Sequence, residues 1–373
     1  MTLRNELAAS PTPSDGELAA GITEHLQDFL SFRGAETAGL DADFANEVLN
    51  RLTSFILNGG KRTRPIFAWW GWRAAGGTEH GRDASATLRA ASALELLQTF
   101  ALVQDDVMDG SAIRRGRPAL HREFANDHYG GAWLGDPTHY GSSMAVLAAD
   151  LTLVWAEEMF TDALALLPAA RERGRVPWRA MHTEMVVGQF MDIRSQACSD
   201  ETEAMPLRVN RLKTAAYSIE RPLHLGAVLA GASDKVISGL RSYGAAVGCA
   251  YQLRDDLLDL YGAPEQTGKP RGGDLREGKR TLLLAAGLRK AREHADSETV
   301  HRLTSVIGDT GLTDTDVHAI ADLLTDLGAP EVVQQRLDEF MDEATRCLAA
   351  TPVTAVADQE LHRLAHDAVA RNR

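Results

Sequence analysis

The chain has 373 residues, 44% of them apolar, and a formal net charge of −13. That length supports a sizeable buried core, and the acidic balance excludes a nucleic-acid binder, which needs a basic field to attract phosphates. Cys198, Cys249 and Cys347 fall in no CxxC or Cys/His spacing, so neither a zinc site nor a disulfide framework is expected, and a reducing cytoplasm fits.

The opening, "MTLRNELAASPTPSDGE", has no basic region followed by an apolar core, so it does not read as a signal peptide. Residues 1–16 read instead as a disordered tail, and 17–373 as one domain without repeats or a dividing linker. No stretch is long and apolar enough for a membrane span. Apolar residues at 3.6-type spacing predict helices over 18–32, 41–58, 65–75 and 86–109. In the last of these, Leu88, Ala91, Leu94, Leu97, Ala101 and Met108 form an inner stripe. Further helices are predicted over 143–167, 178–197, 204–231, 234–261, 280–295, 297–308, 314–327, 330–350 and 357–371. Strand signals are almost absent, so the fold class is all-α. The breaks "NGGKRTRP", "DGSAIRRGRP", "YGGAWLGDPTHYG" and "YGAPEQTGKPRGGDLREGKR" are punctuated by Gly and Pro, and the last is long enough to suggest function.

Asp-Asp-x-x-Asp occurs twice, as Asp105, Asp106, Asp109 and as Asp255, Asp256, Asp259. On a helix, i and i+4 share a face roughly 6 Å apart, so each motif pairs two carboxylates with a third alongside. Like charges this close repel unless a cation joins them. Mg²⁺ suits such a site, because it takes one or two carboxylates and completes its shell with water and phosphate oxygens. One copy in an acidic chain is consistent with a solvated helix face. Two copies, each preceded by an apolar run ("ELLQTFALVQ", "GAAVGCAYQL"), favour facing metal sites.

Basic residues recur at the turns: Lys61, Arg62 and Arg64 beside Gly59 and Gly60, Arg114 and Arg115 after the first motif, and Lys213, Lys269 and Lys279 later. Glycine lets backbone approach a phosphate, and arginine binds it bidentately. The pattern implies two anion sites, one built on metals and aspartates and one on basic side chains alone. That suits two phosphorylated substrates of which one loses its phosphate.

These motifs resemble those of the trans-isoprenyl diphosphate synthases, the polyprenyl synthetase family. "GGKRTRP", "ELLQTFALVQDDVMDGSAIRRGRP", "EMVVGQFMD", "RLKTAAYS", "YQLRDDLLDLYG", "GKPRGGDL" and "EGKRTLLL" stand in the family's order. The resemblance implies an isoprenoid-synthase-type helical barrel around a deep central cavity, a homodimer, and Mg²⁺-dependent condensation of isopentenyl diphosphate with dimethylallyl, geranyl or farnesyl diphosphate. It implies roughly three Mg²⁺ ions, held by Asp105, Asp109 and Asp255. Asp106, Asp256 and Asp259 support them. Arg114, Lys213 and Lys269 fall to the allylic diphosphate, and Gly60, Lys61, Arg64, Gln98 and Arg115 to isopentenyl diphosphate; Lys279 is a further substrate-binding candidate. Thr214 and Gln252 attend the allylic cation, while Gln189, Asp192 and Tyr217 belong to the cavity. For Gln189 and Asp192, a polar pair within the helical core is an equal reading.

Three positions depart from the family pattern. Gln98 and Gln104 stand where many relatives have histidine, and Ala149 where glycine is usual. Phe100, five residues before Asp105 and about 7.5 Å along the axis, is the candidate floor that stops the growing chain. With small Ala101 beside it and no insertion in the motif, the pattern resembles that of geranylgeranyl (twenty-carbon) enzymes. Alternatives are a farnesyl or longer-chain synthase, a class I terpene cyclase, which has no need of Lys61, Arg64 and Arg115, and a non-catalytic partner subunit, which usually loses one aspartate motif.

Overall fold

A computed structural model describes residues 13–263 and 270–370. The chain is built from helices in the order α1 (Asp15–Ala38), α2 (42–57), α3 (Thr63–Ala74) and α4 (Arg82–Asp109). A two-strand hairpin follows, β1 (Ile113–Arg114) and β2 (Arg117–Pro118). Next come α5 (Leu120–Gly130), α6 (Pro137–Ala165), α7 (Arg171–Ala197), α8 (204–229) and α9 (Asp234–Tyr261). The C-terminal part comprises α10 (Gly273–Glu277), α11 (Leu282–Glu293), α12 (Ser297–Ser305), α13 (Asp314–Asp326), α14 (Ala329–Ala349) and α15 (Ala355–Val369). This is the all-α fold expected.

Local chemistry sets many of these boundaries. α1 starts inside the expected tail, because Ser14 and Glu17 form a capping box; residues 1–12 of that tail lie outside the described residues. Pro137 at the first position of α6 follows the Asp136 cap, and Ser233, Thr281, Thr313 and Thr354 cap four later helices. α5 was not predicted; its sequence, "LHREFANDHYG", is mostly polar, and only Leu120, His121, Phe124 and His128 turn inward.

α3 is buried almost all round, as expected of a helix at the centre of a bundle. α4 packs chiefly on α6, and α9 on α14 and on the middle of α8. One large apolar core joins α1–α8 to α15, and a second joins α10–α14. α9 serves both: Val236–Val247 belong to the first and Ala250–Leu260 to the second. Of the predicted α4 stripe, Ala91, Leu94 and Leu97 are buried, but Met108 is 49% exposed, because the last turn of α4 projects past the core.

The middle of α8, Asn210–Glu220, is a π-helix. Such segments are rare and mark functional positions more often than chance. This one carries Lys213, Thr214 and Tyr217.

Candidate active site

Both aspartate motifs lie at the C-terminal ends of 28-residue helices. α4 stops at Gly110, which adopts a left-handed conformation (φ 67°) and returns its N–H to the Asp106 carbonyl. A helix C-terminus carries partial negative charge, so carboxylates there are doubly disfavoured without cations. Burial would raise Asp105, but Lys213, with Lys279 and Arg114, holds it below the usual carboxylate value. Burial and the neighbouring Asp105 push Asp109 up to about 7. Asp106 is also raised, by burial against the opposing pull of Arg114.

The hairpin after α4 explains how adjacent arginines diverge. Arg115 and Gly116 both take positive φ, 54° and 73°, in a two-residue loop that pairs Arg114 with Arg117. Arg114, on the strand, folds back so that its Nε donates to Asp106 Oδ1 at 2.8 Å. Arg115, on the turn, points away. It donates to the Phe55 carbonyl at 3.0 Å and lies over the Phe55 ring. Arg117 is exposed.

The π segment carries the next group. Lys213 Nζ sits 3.0 Å from Asp105 Oδ1 and 2.7 Å from Asp192 Oδ2. Thr214 Oγ1 donates to Gln252 Oε1 at 2.8 Å, and Gln252 Nε2 donates to Asp256 Oδ1 at 2.8 Å. Burial and nearby Asp274 raise Asp256 well above the ordinary carboxylate range.

Residues beyond the second motif close the site. Lys279 Nζ lies 3.6 Å from Asp109 Oδ2, 3.3 Å from Asp274 Oδ1 and 2.6 Å from Glu277 Oε2. Burial opposes its charge, yet these carboxylates hold its pKa well above the usual lysine value. Glu277 also accepts from Ser111 Oγ at 2.7 Å, and Asp259 Oδ2 accepts the Asp274 N–H at 3.1 Å. Lys279 thus joins the end of α4 to α10. Asp256, Asp259, Asp274 and Lys279 line one cleft. Asp274, Glu277 and Ser111 were not expected from sequence; the only signal was acidic residues inside a Gly-rich break.

A second, basic site lies beside the first. Gly59 and Gly60 leave room for Arg115: a Cβ on either would come within 3.3 or 3.2 Å of its side chain, and both adopt positive φ. Arg64 stacks 4.4 Å over Tyr217 and donates to Ser218 Oγ at 2.7 Å. Lys61 is exposed, and among the described residues the buried Gln98 Oε1 has no hydrogen-bond donor. Arg62 is a different matter. It is buried in the left-handed region (φ 50°), pairs with Glu95 at 2.6 Å, and caps the Ile56 and Leu57 carbonyls at the end of α2.

Among the described residues the buried Asp106 Oδ2 has no hydrogen-bond donor, and the buried Asp105 Oδ1 and Asp109 Oδ2 face the ammonium groups of Lys213 and Lys279, on carboxylates crowded at a helix end. That donor set fits a hard divalent cation. Among the described residues no three Asp, Glu, His or Cys side chains converge into a protein-only cage. Mg²⁺ is such an ion: it takes one or two carboxylates and completes its shell with water and substrate oxygens.

Of the remaining expected residues, Lys269 lies outside the described residues. Gln189 and Asp192 do not pair with each other: Gln189 Nε2 approaches Met108 Sδ at 3.8 Å, and Asp192 holds Lys213. Phe100 and Ala101 are half-buried against the first core. Among the described residues no helix is long and apolar enough to cross a membrane.

Comparison with known proteins adds three findings. The polyprenyl synthetase family model matches residues 46–324. The chain is 31% identical to geranylfarnesyl diphosphate synthase of Aeropyrum pernix and 30% identical to octaprenyl diphosphate synthase of Escherichia coli, in each case over 93% of this chain and 97% of the relative. It is similar to a crystal structure of geranylgeranyl pyrophosphate synthase from Corynebacterium glutamicum complexed with isoprenyl diphosphate and magnesium. There the TM-score is 0.91 at 38% identity, over 96% of this chain and 100% of the other.

Proposed function

The chain belongs to the polyprenyl synthetase family, and on that premise we propose that it condenses isopentenyl diphosphate head-to-tail with an allylic diphosphate, with geranylgeranyl diphosphate as the product. The observation that carries this reading is the division made by the hairpin. Arg114 stays with the aspartates, and Arg115 goes to a separate basic site built on Gly59 and Gly60. One anion site can recruit metal, and the other needs none.

Asp105, Asp109 and Asp255 would hold Mg²⁺, with Asp106, Asp256 and Asp259 in support. When bound, Mg²⁺ neutralises the diphosphate of the allylic substrate and makes it a better leaving group. Arg114, Lys213 and Lys279 grip that diphosphate, and Lys269 joins them. Thr214 and Gln252 face the cation left behind with oxygen dipoles. Lys61, Arg64, Gln98 and Arg115 hold isopentenyl diphosphate so that its double bond is aligned for attack. The proton lost afterwards goes to the departed diphosphate. The side chains therefore supply position and preorganised charge, with no conventional base among them.

The product assignment rests on Phe100 with Ala101 beside it, and on the likeness to the Corynebacterium enzyme. The relatives' names range from geranylgeranyl through geranylfarnesyl to octaprenyl synthase, so chain length is read from products. A cyclase has no use for the basic site, and a non-catalytic subunit would not need both aspartate motifs. We further read the protein as a homodimer, supported by exposed Leu147 and Val154 on α6 and Val186 and Phe190 on α7.

The test is incubation with farnesyl diphosphate, labelled isopentenyl diphosphate and Mg²⁺, followed by chromatography of the dephosphorylated products. Twenty-carbon alcohol is expected. No uptake of label would overturn the synthase reading, and a cyclic hydrocarbon formed from farnesyl diphosphate alone would replace it with a cyclase.

A further inference from the structure

The π segment of α8 is held between two helices whose backbones come unusually close to it. On the α7 side, a Cβ at Gly188 would stand 2.5 Å from the Lys213 nitrogen and 2.7 Å from its Cα. On the α9 side, a Cβ at Gly248 would stand 2.5 Å from the Ala215 Cα. The obstructing atoms are mostly backbone, so no rotamer change relieves them. Ordinary carbon contacts need about 3.5–4.0 Å. An alanine at either position therefore pushes residues 213–215 away by roughly 1 Å.

Both glycines stand in register with active-site side chains. Asp192, one turn beyond Gly188 on α7, takes the Lys213 ammonium at 2.7 Å. On α9, Gly244, Gly248, Gln252 and Asp256 recur every fourth residue and form one ridge. A Cβ at Gly244 would meet Glu220 Cα at 2.7 Å, one at Gly248 would meet Ala215, and Gln252 bonds Thr214. The ridge thus meets the π segment in descending order, at residues 220, 215 and 214.

We infer that Gly188 and Gly248 are positioning residues: their missing side chains seat residues 213–215, so that the Lys213 ammonium reaches Asp105 and the Thr214 hydroxyl meets Gln252. This rests on the prenyl-transfer reading. It predicts a selective effect, because Lys213 and Thr214 belong to the allylic half of the site, whereas Arg64 of the isopentenyl half meets the π segment at Tyr217 and Ser218, beyond residues 213–215. Gly188→Ala lowers kcat/KM for farnesyl diphosphate by about 10- to 100-fold, since misplacement near 1 Å costs that much. The KM for isopentenyl diphosphate stays within about twofold.

The decisive measurement is a double-mutant cycle with Lys213→Ala. If Gly188 acts through Lys213, adding Gly188→Ala to the Lys213→Ala enzyme changes kcat/KM by less than about twofold. A glycine needed only for packing would cost the same in both backgrounds, and that result would overturn the inference. Gly248→Ala, cycled with Gln252→Ala, gives a second and independent instance. Calorimetric binding of farnesyl thiolodiphosphate, an unreactive allylic analogue, should weaken in parallel. If neither glycine variant yields folded protein, the two glycines serve stability and the inference fails. Wild-type protein that consumes no isopentenyl diphosphate would sink the functional reading instead, so the two failures are distinct.

Discussion

The Gln104 side-chain amide donates to Asp150 Oδ1 at 3.3 Å, linking α4 to α6 one residue before the first aspartate motif. Asp150 is exposed and shares its face of α6 with Leu147 and Val154, three positions before it and four after. Gln104, a departure from the family pattern without an evident role in the sequence, therefore joins the metal-motif helix to the face proposed for subunit contact. A hydrogen bond between solvent-accessible groups contributes about 1 kcal/mol or less to stability. We predict that it orients the last turn of α4. Gln104→Ala should leave Tm nearly unchanged and lower kcat severalfold, as should Asp150→Ala, with little further loss when the two are combined. Additive losses in the double variant would show that the two side chains act separately.

The basic stretch "GGKRTRP" divides into two kinds of residue. Arg62 is buried, and its partner Glu95 is 5% exposed at 2.6 Å. Removing one member of a buried pair leaves the other uncompensated, at a cost of about 3–5 kcal/mol. Arg62→Ala should therefore lower the midpoint of chemical denaturation sharply. Lys61→Ala, at an exposed position, should leave the midpoint alone and raise the KM for isopentenyl diphosphate. Equal stability for the two variants would contradict this division.

Much of this architecture is legible in the sequence because its signals are local. The long helices announce themselves by period, and each aspartate motif by its i, i+4 spacing. What was not legible depends on distant pairing. Arg62 and Glu95 lie 33 residues apart, and nothing in the stretch separates Arg62 from Arg64 until the chain turns through φ 50°. Asp274 and Glu277 sit in a Gly-rich break with no periodic pattern, and they acquire meaning only when Lys279 draws them toward Asp109. The π geometry of 210–220 leaves no mark on a sequence whose composition reads as ordinary helix. It coincides with the close approach of α7 and α9 at Gly188 and Gly248, contacts that only the fold brings about.

Stability should fall in mild acid through His224. Burial, then Arg221 and Arg241, lower its pKa from 6.5 to about 4, and Arg221 Nη1 lies 3.1 Å from its Nδ1. The unfolded chain therefore binds more protons than the fold between those two values. Stability is full above pH 6.5 and declines as pH falls toward 4, by about 3 kcal/mol in total. His224→Gln should flatten this limb of a denaturation profile measured from pH 7.5 to 4.5. An unchanged slope would place the titration elsewhere.

Product length offers the sharpest test of the proposed function, because it predicts changes in both directions. Phe100 is half-buried and packed against the first core, five residues before Asp105 on the same helix, with Ala101 next to it. If the growing chain runs along this helix, the Phe100 ring limits its depth and Ala101 leaves the adjacent path open. Phe100→Ala should then shift products beyond twenty carbons. Ala101→Phe should shorten them toward fifteen, at a cost in stability of about 1–3 kcal/mol if the added ring crowds the core. The stability cost of Phe100→Ala should stay below the roughly 3–5 kcal/mol typical of a fully buried phenylalanine, since the ring is only partly enclosed. Chromatography of the dephosphorylated products and a denaturation curve separate the two roles of the ring. A stability loss without longer products would make Phe100 a packing residue and move the floor of the cavity elsewhere.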